Sequence, residues 1–442
     1  MTTPEVLLIG DVCVDFTVNK SGDEPKMRLG GLVHASRALW ACGIPYSVAV
    51  ACPSYLASRA EEYLQEHGCN SFFLLSEITG APNVFIINDV REVGHQGYED
   101  ILRDDRNFKI SDDIGFLKNY RNIVVFPGSF DLCSVAQNLA DDAEVALDFA
   151  YGIESIKELE VFGKNLHILA TSTSSDLFLK TATDNVSALV DAAADLGVKA
   201  LLLKENRGGS RLFDLEADEI HRIPAVLGPT VNSVGVGDAF TAVVSALKHI
   251  GLLNASLRGM QVATRYAQTT YPDDLHRDIS RDFKLSVDAV NGLGGTSLTW
   301  HERPNFQIYL AAPDFSYVEK TEVDNAVAAL EYHNFLVRRP VQENGEAELG
   351  TAPEDLHQFY SQDVSLLREC SAVFAIPLNR DPGTLIEVGM AIAMGIPVVT
   401  FDPREENNNT MCICGSTVYS PDIDDCLNGI FEVLARVRRK SA

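Results

Sequence analysis

Short apolar runs alternate with amphipathic segments along most of this chain, and this alternation constrains the fold more than any other feature. The strand-like runs include EVLLIG, SVAVAC, NIVVFPG, EVALDFA, LHILAT and VKALLLK. Helical patterns such as SYLASRAEEYLQEHG and DNVSALVDAAADLG lie between them. Because strands that are separated by helices are joined by crossovers, this order predicts α/β architecture with parallel sheets.

The alternation weakens once, in the stretch VNGLGGTSLTWHERPN, which is rich in Gly, Thr and Pro. A second alternating series begins after it with FQIYLAAP and ends with IPVVTF. A chain of 442 residues is also too long for one ordinary core. We therefore predict two domains, residues 1–285 and 305–442, joined by a linker at 286–304.

Charge and cysteine content limit the partners that this chain can have. Its net charge is −26, from 36 basic and 62 acidic residues, so the surface repels phosphate backbones and we expect no nucleic-acid partner. The nine cysteines are scattered without a C-x-x-C pair, which predicts reduced thiols and no metal site. The N-terminal sequence has no signal-peptide pattern, and no apolar run approaches the ~18 residues of a membrane span, so we expect a cytoplasmic protein.

The stretch NSVGVGDAFTAVVSALKHIG places two glycines and an aspartate where a loop enters a long apolar helix. Gly235 and Gly237 can adopt positive φ and let a ligand approach the backbone. The first amides of the helix would then face an anion, and Asp238 could accept a proton from a hydroxyl that attacks a phosphoryl group. A glycine-rich turn with an aspartate at a helix N-terminus is the simpler, structural interpretation.

Three other stretches accompany this motif: LIGDVCVDFTV, LGGLVHASRALWACG and LLLKENRGGSRLFD. With them, residues 1 to about 275 resemble the ribokinase-like (PfkB-type) carbohydrate and nucleoside kinases. The resemblance implies a three-layer αβα domain that uses ATP and Mg²⁺. The hydroxyls of a sugar or nucleoside would be bound by Asp15, Gly30, Gly31 and His34. The anion hole would be formed by Gly235, Val236 and Gly237, with Asp238 as the catalytic base.

Several positions depart from the pattern of that family. Asn232 replaces the leading acid of the glycine motif, His34 stands where an asparagine is usual, and Asn206 replaces a turn glycine. No N-x-x-E motif is recognisable in STSSD, after the LHILAT run. A second interpretation therefore stays open, in which this domain binds a ligand and regulates the chain without turnover.

The stretch DPGTLIEVGMAIAMG places one carboxylate, Glu387, in a run otherwise made mostly of apolar and small residues. A helix that is apolar on nearly every side should be buried, and a lone buried charge is costly. Thr384 and Glu387 have the T-x-x-E spacing of a capping box, so a structural role at a helix start is one interpretation.

The wider context favours a catalytic role. Residues from about 306 to 438 resemble the nucleoside 2-deoxyribosyltransferase family, which includes deoxynucleoside-monophosphate N-glycosidases. The matching motifs are Y-L-A-x-P from Tyr309, D-x-G-T-x-x-E-x-G from Asp381 to Gly389, and Asp363 one helix earlier. The resemblance implies a flavodoxin- or Rossmann-like parallel sheet, no cofactor, and Glu387 as nucleophile.

The reaction accounts for these residue types. Breaking an N-glycosidic bond builds positive charge on the sugar, which a carboxylate can stabilise or trap covalently. A second acid must protonate the departing base, and Asp363 and Asp381 are candidates. Tyr309 can orient Glu387 by hydrogen bonding. In the family an asparagine from a neighbouring subunit commonly completes the site, which implies a homo-oligomer. Here that asparagine could be Asn407, Asn408 or Asn409.

Together these features predict a bifunctional enzyme of nucleoside or nucleotide salvage that acts on small molecules. The C-terminal domain would cleave or transfer at the N-glycosidic bond, and the N-terminal domain would phosphorylate a sugar or nucleoside. The alternative is a regulatory N-terminal module attached to a nucleotide N-glycohydrolase, with NAD as one possible substrate.

Overall fold

The computed structural model describes residues 4–18, 25–102, 105–347 and 350–441. The chain divides into two compact units, Met1–Ser297 and Leu298–Ala442. No helix in the described ranges combines the length and the apolar character that crossing a bilayer requires.

The first unit is built on one large mixed sheet. Its strands are β1 (Val6–Thr17), β2 (Lys26–Gly31), β3 (Tyr46–Cys52), β4 (Cys69–Thr79), β5 (Val84–Ile87), β6 (Glu99–Asp100), β7 (Asn107–Ile110), β8 (Asn122–Val125), β9 (Glu144–Asp148), β10 (Leu166–Ser172), β11 (Ala200–Lys204), β12 (Ser210–Asp214) and β13 (Glu219–Ile223). The order is β13-β12-β11-β10-β9-β8-β1-β3-β4-β7, and the strands from β11 to β4 run parallel. The C-terminal half of β1 leaves this layer and pairs with β2 and β5. Strand β5 also pairs with β6.

Helices join most of these strands. They are α1 (Val33–Ala41), α2 (Ser54–Glu66), α3 (Leu132–Gln137), α4 (Asp176–Thr181), α5 (Ser187–Asp195), α6 (Val236–Leu247), α7 (Leu252–Gln268), α8 (Pro272–Asp282) and α9 (Val287–Leu293). Short 3₁₀ helices occupy Gly115–Asn119, Ile156–Asn165, Asn206–Gly208 and Lys248–Ile250.

Both faces of the main sheet are buried. Leu8 of β1 and Val48 of β3 share one core with α1, α6, α7 and α8. Leu7 and Ile9, which point to the other side of β1, are buried as well. Strands that are buried on both faces are typical of parallel sheets covered by helices on two sides. This arrangement confirms the predicted three-layer αβα fold.

The second unit contains a smaller, wholly parallel sheet. Its strands are β14 (Ile308–Ala311), β15 (Val337–Arg338), β16 (Ala372–Ala375), β17 (Val398–Phe401) and β18 (Val418–Ser420), and its helices are α10 (Thr321–Tyr332), α11 (Pro340–Asn344), α12 (Pro353–Glu369), α13 (Pro382–Met394), α14 (Thr410–Gly415) and α15 (Ile423–Ser441). The order β15-β14-β16-β17-β18 is the 2-1-3-4-5 order of flavodoxin-like sheets, which confirms the predicted fold class.

The stretch predicted as a linker, residues 286–304, contains regular structure. It includes α9, a bridge that pairs Thr296 with Ala225, and most of a 3₁₀ helix at Trp300–Asn305. Leu298 and Trp300 within it are buried. These buried apolar side chains explain why a stretch rich in Gly, Thr and Pro is nevertheless ordered into helical turns.

Candidate active sites

In the second unit, the sheet order reverses between β14 and β16. Ligands of such sheets bind in the crevice outside the carboxyl ends of the strands at this point. β14 supplies Tyr309, and α13 begins seven residues beyond the end of β16 and supplies Glu387. The topology therefore brings together two residues that are 78 positions apart in the sequence.

The hydroxyl of Tyr309 donates a hydrogen bond to Oε1 of Glu387 at 2.5 Å. The tyrosine ring is fully buried, whereas Glu387 is only partly so. Burial raises the pKa of Glu387 to about 7, the bond from Tyr309 lowers it, and the charges of Asp363 and Asp381 raise it. Near neutral pH, Glu387 can therefore exist in both protonation states, one of which is a poorly solvated carboxylate beside a donor.

Asp381 is the N-cap of α13. One of its carboxylate oxygens accepts hydrogen bonds from the backbone N–H of Thr384 at 2.7 Å and from the hydroxyl of Thr384 at 2.9 Å. The capping-box interpretation of Thr384 and Glu387 is therefore wrong, because the helix starts three residues earlier than that spacing implied. Glu387 lies in the second turn and is free to serve the site, while Asp381 fixes the start of the helix.

Asp363 lies on α12 and is half-buried. Burial raises its pKa, while the side-chain amide of Asn344 donates to Oδ1 at 2.8 Å and lowers it. Asn344, the last residue of α11, was missed in the sequence because nothing in its local pattern marks it. The second unit thus brings Tyr309, Asp363 and Asp381 within electrostatic reach of Glu387.

The expectation that α13 is buried on nearly every side is wrong. Ile386 is 62% exposed, Ile392 36% and Met394 38%. Helix α14 packs against α13 and adds Met411, which is 78% exposed. One side of α13 therefore presents apolar side chains to solvent in the isolated chain.

The three asparagines after β17 differ in their surroundings. Asn407 is buried, and its backbone N–H donates a hydrogen bond to the carboxylate of Asp402. Asn409 caps α14 by accepting from the N–H groups of Met411 and Cys412. Asn408 is exposed. Of the three, Asn408 has the side chain that is best placed to reach another molecule.

In the first unit, α6 begins at the glycine motif. Gly235 is the N-cap, with φ 82°, so its left-handed conformation favours glycine, while Gly237 lies inside the first turn with Asp238. The expectation of positive φ thus holds for Gly235 and is wrong for Gly237. Burial and the charge of Asp148 raise the pKa of Asp238 to about 7, Lys204 lowers it, and Asp15 raises it further.

Three polar side chains below this turn form a cluster that was missed in the sequence. Lys204, the last residue of β11, donates to Oδ2 of Asp148, the last residue of β9. Thr241, three residues after Asp238 on α6, donates to the same oxygen at 2.6 Å. A Cβ added at Gly237 would lie 3.1 Å from the Lys204 amine, so this cation touches the predicted anion hole. The sequence did contain one signal for this cluster, since Asp148 and Lys204 are charged residues that each end a buried strand.

Asp15 is occupied by neighbouring side chains. His34 lies 3.0 Å from its Oδ2, and Arg28 forms an ion pair with the same oxygen at 3.5 Å. Burial alone would raise the pKa of Asp15, but His34, Arg28 and Arg37 outweigh it, and the pKa is lowered. A Cβ at Gly30 would overlap the carboxylate, which explains the glycine there.

His34 fills the space between the two motifs. Its Nδ1 lies 2.7 Å from the hydroxyl of Tyr266, and a Cβ at Gly235 would overlap its ring. Burial lowers the pKa of His34 to about 4, although Asp15 raises it, so the ring is neutral at pH 7. Both contacts are made to Oδ2, so a sugar hydroxyl would have to reach the other oxygen of this buried carboxylate or displace His34 or Arg28.

The N-terminus of α6 fits an anion, since Gly235 exposes the first backbone amides and Lys204 lies beside them. Among the described residues, no group of three or more His, Cys, Asp or Glu side chains is arranged to hold a metal ion. Mg²⁺ is commonly bound through substrate phosphates and only one or two carboxylates, so nucleotide binding does not require such a group.

Comparison with known proteins bears on the two units differently. No curated protein matches the chain. A probable sugar kinase from Rhizobium etli CFN 42 is similar over 64% of this chain and 100% of its own, with 13% identity and a TM-score of 0.49. An adenosine kinase from Sinorhizobium meliloti is similar over the same shares, with 15% identity and a TM-score of 0.49. A ribokinase from Arabidopsis thaliana, solved with ribose and ATP, covers 65% of this chain and 100% of its own, with 16% identity and a TM-score of 0.46.

A sequence-family comparison concerns the second unit. Residues 308–434 match the model of the nucleoside 2-deoxyribosyltransferase family. The matched range includes Tyr309, Asp363, Asp381 and Glu387 and ends within α15. Residues 308–434, which make up most of the second unit, thus match the nucleoside 2-deoxyribosyltransferase family.

Proposed function

We propose that the second unit cleaves or transfers at the N-glycosidic bond of a nucleoside or nucleotide, with Glu387 as the nucleophile. The observation that supports this most strongly is the bond from Tyr309 to Glu387 at the carboxyl end of the sheet, inside the family match. The carboxylate attacks the anomeric carbon as the bond to the base breaks, and the sugar is held as a glycosyl ester. Water or a second base then takes the sugar and regenerates Glu387.

The departing base needs a proton, and Asp363 is the better candidate for its source. Because its pKa is raised, Asp363 has a larger protonated fraction near neutral pH than an ordinary aspartate has. Asp381 already accepts two hydrogen bonds from Thr384, so its carboxylate is engaged at the start of α13. We assign Asp381 to the start of α13 and to the electrostatic environment of Glu387.

Product analysis tests this proposal. Purified protein is incubated separately with nucleosides, nucleoside monophosphates and NAD, with and without a second free base, and the products are separated by chromatography. Release of free base supports the N-glycosidic reaction, and formation of a new nucleoside identifies transfer. If no substrate in the panel loses its base, the proposal is wrong, and cleavage of NAD alone would favour the alternative of a nucleotide N-glycohydrolase.

We further propose that the first unit is an ATP-dependent kinase of a sugar or nucleoside. ATP, with Mg²⁺, would supply the phosphoryl group. In this proposal Asp238 accepts the proton of the attacking hydroxyl, and the α6 amides with Lys204 stabilise the charge on the phosphoryl oxygens. The raised pKa of Asp238, near neutral pH, suits a general base.

One observation favours the regulatory alternative for this unit. Asp15 is already paired with His34 and Arg28 through Oδ2, so one of its two oxygens is engaged within the protein. ATP turnover with a panel of sugars and nucleosides separates the two functions. Turnover that disappears in Asp238→Asn supports the kinase, whereas ligand binding without turnover supports the regulatory module.

We also propose that the protein self-associates in the cytoplasm. The apolar side chains that α13 exposes would be covered by a second copy, and Asn408, which is exposed, would enter that copy's site. All nine cysteines are free, as expected in a reducing compartment. Sedimentation analysis should give a mass of two or more chains, and a single-chain mass at micromolar concentration would contradict this.

A further inference from the structure

Two tyrosines outside the predicted motifs face each other near Asp238. Tyr98 precedes β6 and is 37% exposed, and Tyr151 follows β9 and is 59% exposed. Their ring centroids are 5.9 Å apart at an interplanar angle of 67°. Single exposed aromatic residues need no explanation, but an exposed pair supplied by two separate segments does.

Hydrogen bonds attach Tyr98 to the loop that enters α6. Its hydroxyl donates to Oε1 of Gln96 at 3.0 Å, and the amide of Gln96 donates to the hydroxyl of Ser233 at 2.8 Å. Ser233 is also bonded through its N–H to the carbonyl of Val90 at 2.6 Å. Ser233 lies two residues before Gly235, so Tyr98 is held on one side of the α6 N-terminus.

Tyr151 is attached to the same region through the segment that follows β9. It lies three residues after Asp148, which is bonded to Thr241 of α6 and to Lys204. Burial raises the pKa of both tyrosines, and the charge of Asp238 raises it further in each case. Both hydroxyls therefore lie within electrostatic reach of Asp238, although much of each side chain remains open to solvent.

An aromatic pair of this kind suits a flat, aromatic ligand. The open ring faces can stack on a nucleobase, which has a π-face, whereas a free pentose has none. At Asp15, meanwhile, Oδ2 is already engaged by His34 and Arg28, which leaves fewer acceptors for the hydroxyls of a sugar alone.

We propose that Tyr98 and Tyr151 form a base-binding subsite, so that the first unit takes nucleosides in preference to free pentoses. This inference rests on the kinase function proposed for Asp238, and it assigns the substrate class of that site. It also means that both units of the chain handle the same class of molecule.

The test compares Tyr151→Ala with Tyr151→Phe in the full-length protein. ATP turnover is measured with adenosine, cytidine, uridine, deoxyadenosine and ribose. Loss of one stacking partner should lower kcat/KM for the accepted nucleosides by roughly 5- to 150-fold in Tyr151→Ala. Tyr151→Phe keeps the ring and should stay near wild type, and activity with ribose should change little in either variant.

Tyr271→Ala is the matched control, because Tyr271 is 68% exposed just before α8 and belongs to neither tyrosine segment. It should leave all activities unchanged. The subsite is refuted if ribose is a better substrate than every nucleoside, if nucleoside and ribose turnover fall equally in Tyr151→Ala, or if Tyr151→Phe is as impaired as Tyr151→Ala.

A wild-type protein that turns over no substrate would refute the proposed kinase function but not the subsite. In that case, calorimetric titration with the same nucleosides decides. Nucleoside binding that weakens in Tyr151→Ala and not in Tyr151→Phe supports the subsite, and absence of nucleoside binding by the wild-type protein overturns it.

Discussion

The two units offer a comparison between two carboxylates with similar titration and different surroundings. Glu387 and Asp238 each lie in the first two turns of a helix, and burial raises the pKa of each to about 7. Glu387 has a hydrogen-bond donor, Tyr309, within 2.5 Å. The groups that shift the pKa of Asp238 are charges, chiefly Asp148 and Lys204 after burial itself.

The difference shows that two sites in one chain can be prepared for reaction to different extents. The site around Glu387 has its orienting tyrosine in place and its nearest acids, Asp363 and Asp381, held by Asn344 and Thr384. Near Asp238, the residue expected to bind substrate is instead satisfied by His34 and Arg28. We therefore expect the second unit to need no rearrangement around Glu387 for activity, and the first to depend on a substrate that adds binding energy of its own.

The largest expected effect comes from removing each carboxylate in turn. Glu387→Gln should lower base release by about 10³-fold or more, because no nucleophile remains, and should leave ATP turnover unchanged. Asp238→Asn should abolish ATP turnover and leave base release unchanged. Both rates are measured on both full-length variants. Loss of both activities in one variant would show that the units are not independent, and base release at the wild-type rate in Glu387→Gln would eliminate it as nucleophile.

Tyr309→Phe should have a smaller effect with a defined pH signature. The tyrosine hydroxyl stabilises the ionised form of Glu387, so its removal raises the pKa of Glu387 further. Base release that requires the carboxylate should therefore fall at neutral pH and recover as the pH increases. The pH profile of kcat/KM measures this. A uniform loss at every pH would mean that Tyr309 contacts the substrate rather than setting the charge of Glu387.

Much of the fold could be predicted from the sequence, because long apolar runs have few alternatives. The run EVLLIG lies in β1 from its second residue onward, SYLASRAEEYLQE forms α2, and the segment PEDLHQFYSQDVSLLRE forms α12. Strands β2, β5 and β6 of the first unit, which lie outside the main layer of its sheet, were not predicted. β2 reads KMRLGG and β6 has two residues, so neither has the apolar alternation that marks a strand. Their pairing depends on the long β1, which is a tertiary feature.

The site residues likewise divide into those that a local motif marks and those that only the tertiary structure brings together. Glu387 and Tyr309 could be singled out because each stands in an ordered motif. The contact of Lys204 with Asp148 could not, because those residues lie 56 positions apart on strands separated by β10. Local chemistry explains one departure from the kinase pattern. Asn206, which replaces a turn glycine, has φ 52°, in the left-handed region that asparagine tolerates better than most residues.

Glu387→Gln should also change stability in a pH-dependent way. The pKa of Glu387 is raised above its unfolded value of 4.5, so the folded state is penalised progressively as the pH rises from about 4.5 to about 7 and fully above that. Removing the charge should stabilise the protein by about 2 kcal/mol at pH 8, after allowing for the partial exposure of the side chain, and by almost nothing at pH 4. Thermal unfolding at the two pH values checks this, and equal melting temperatures for variant and wild type at pH 8 would contradict it.

The smallest expected effects concern the charges around Asp238 and have opposite signs. Burial and Asp148 raise the pKa of Asp238, and Lys204 lowers it. Asp148→Asn should thus move the acidic limb of the ATP-turnover profile to lower pH, and Lys204→Met should move it to higher pH. In Asp148→Asn, activity at pH 7 should change by less than tenfold, the effect of about one pKa unit. In Lys204→Met, the overall rate should fall further, because the proposed contact with the phosphoryl oxygens is also lost, and only the position of the acidic limb reports the pKa of Asp238. Because Lys204→Met leaves a buried carboxylate without its cation, thermal unfolding must first show that the variant is folded. Shifts of the same sign in both variants would mean that the two residues act through the structure of the α6 turn, and not through their charges.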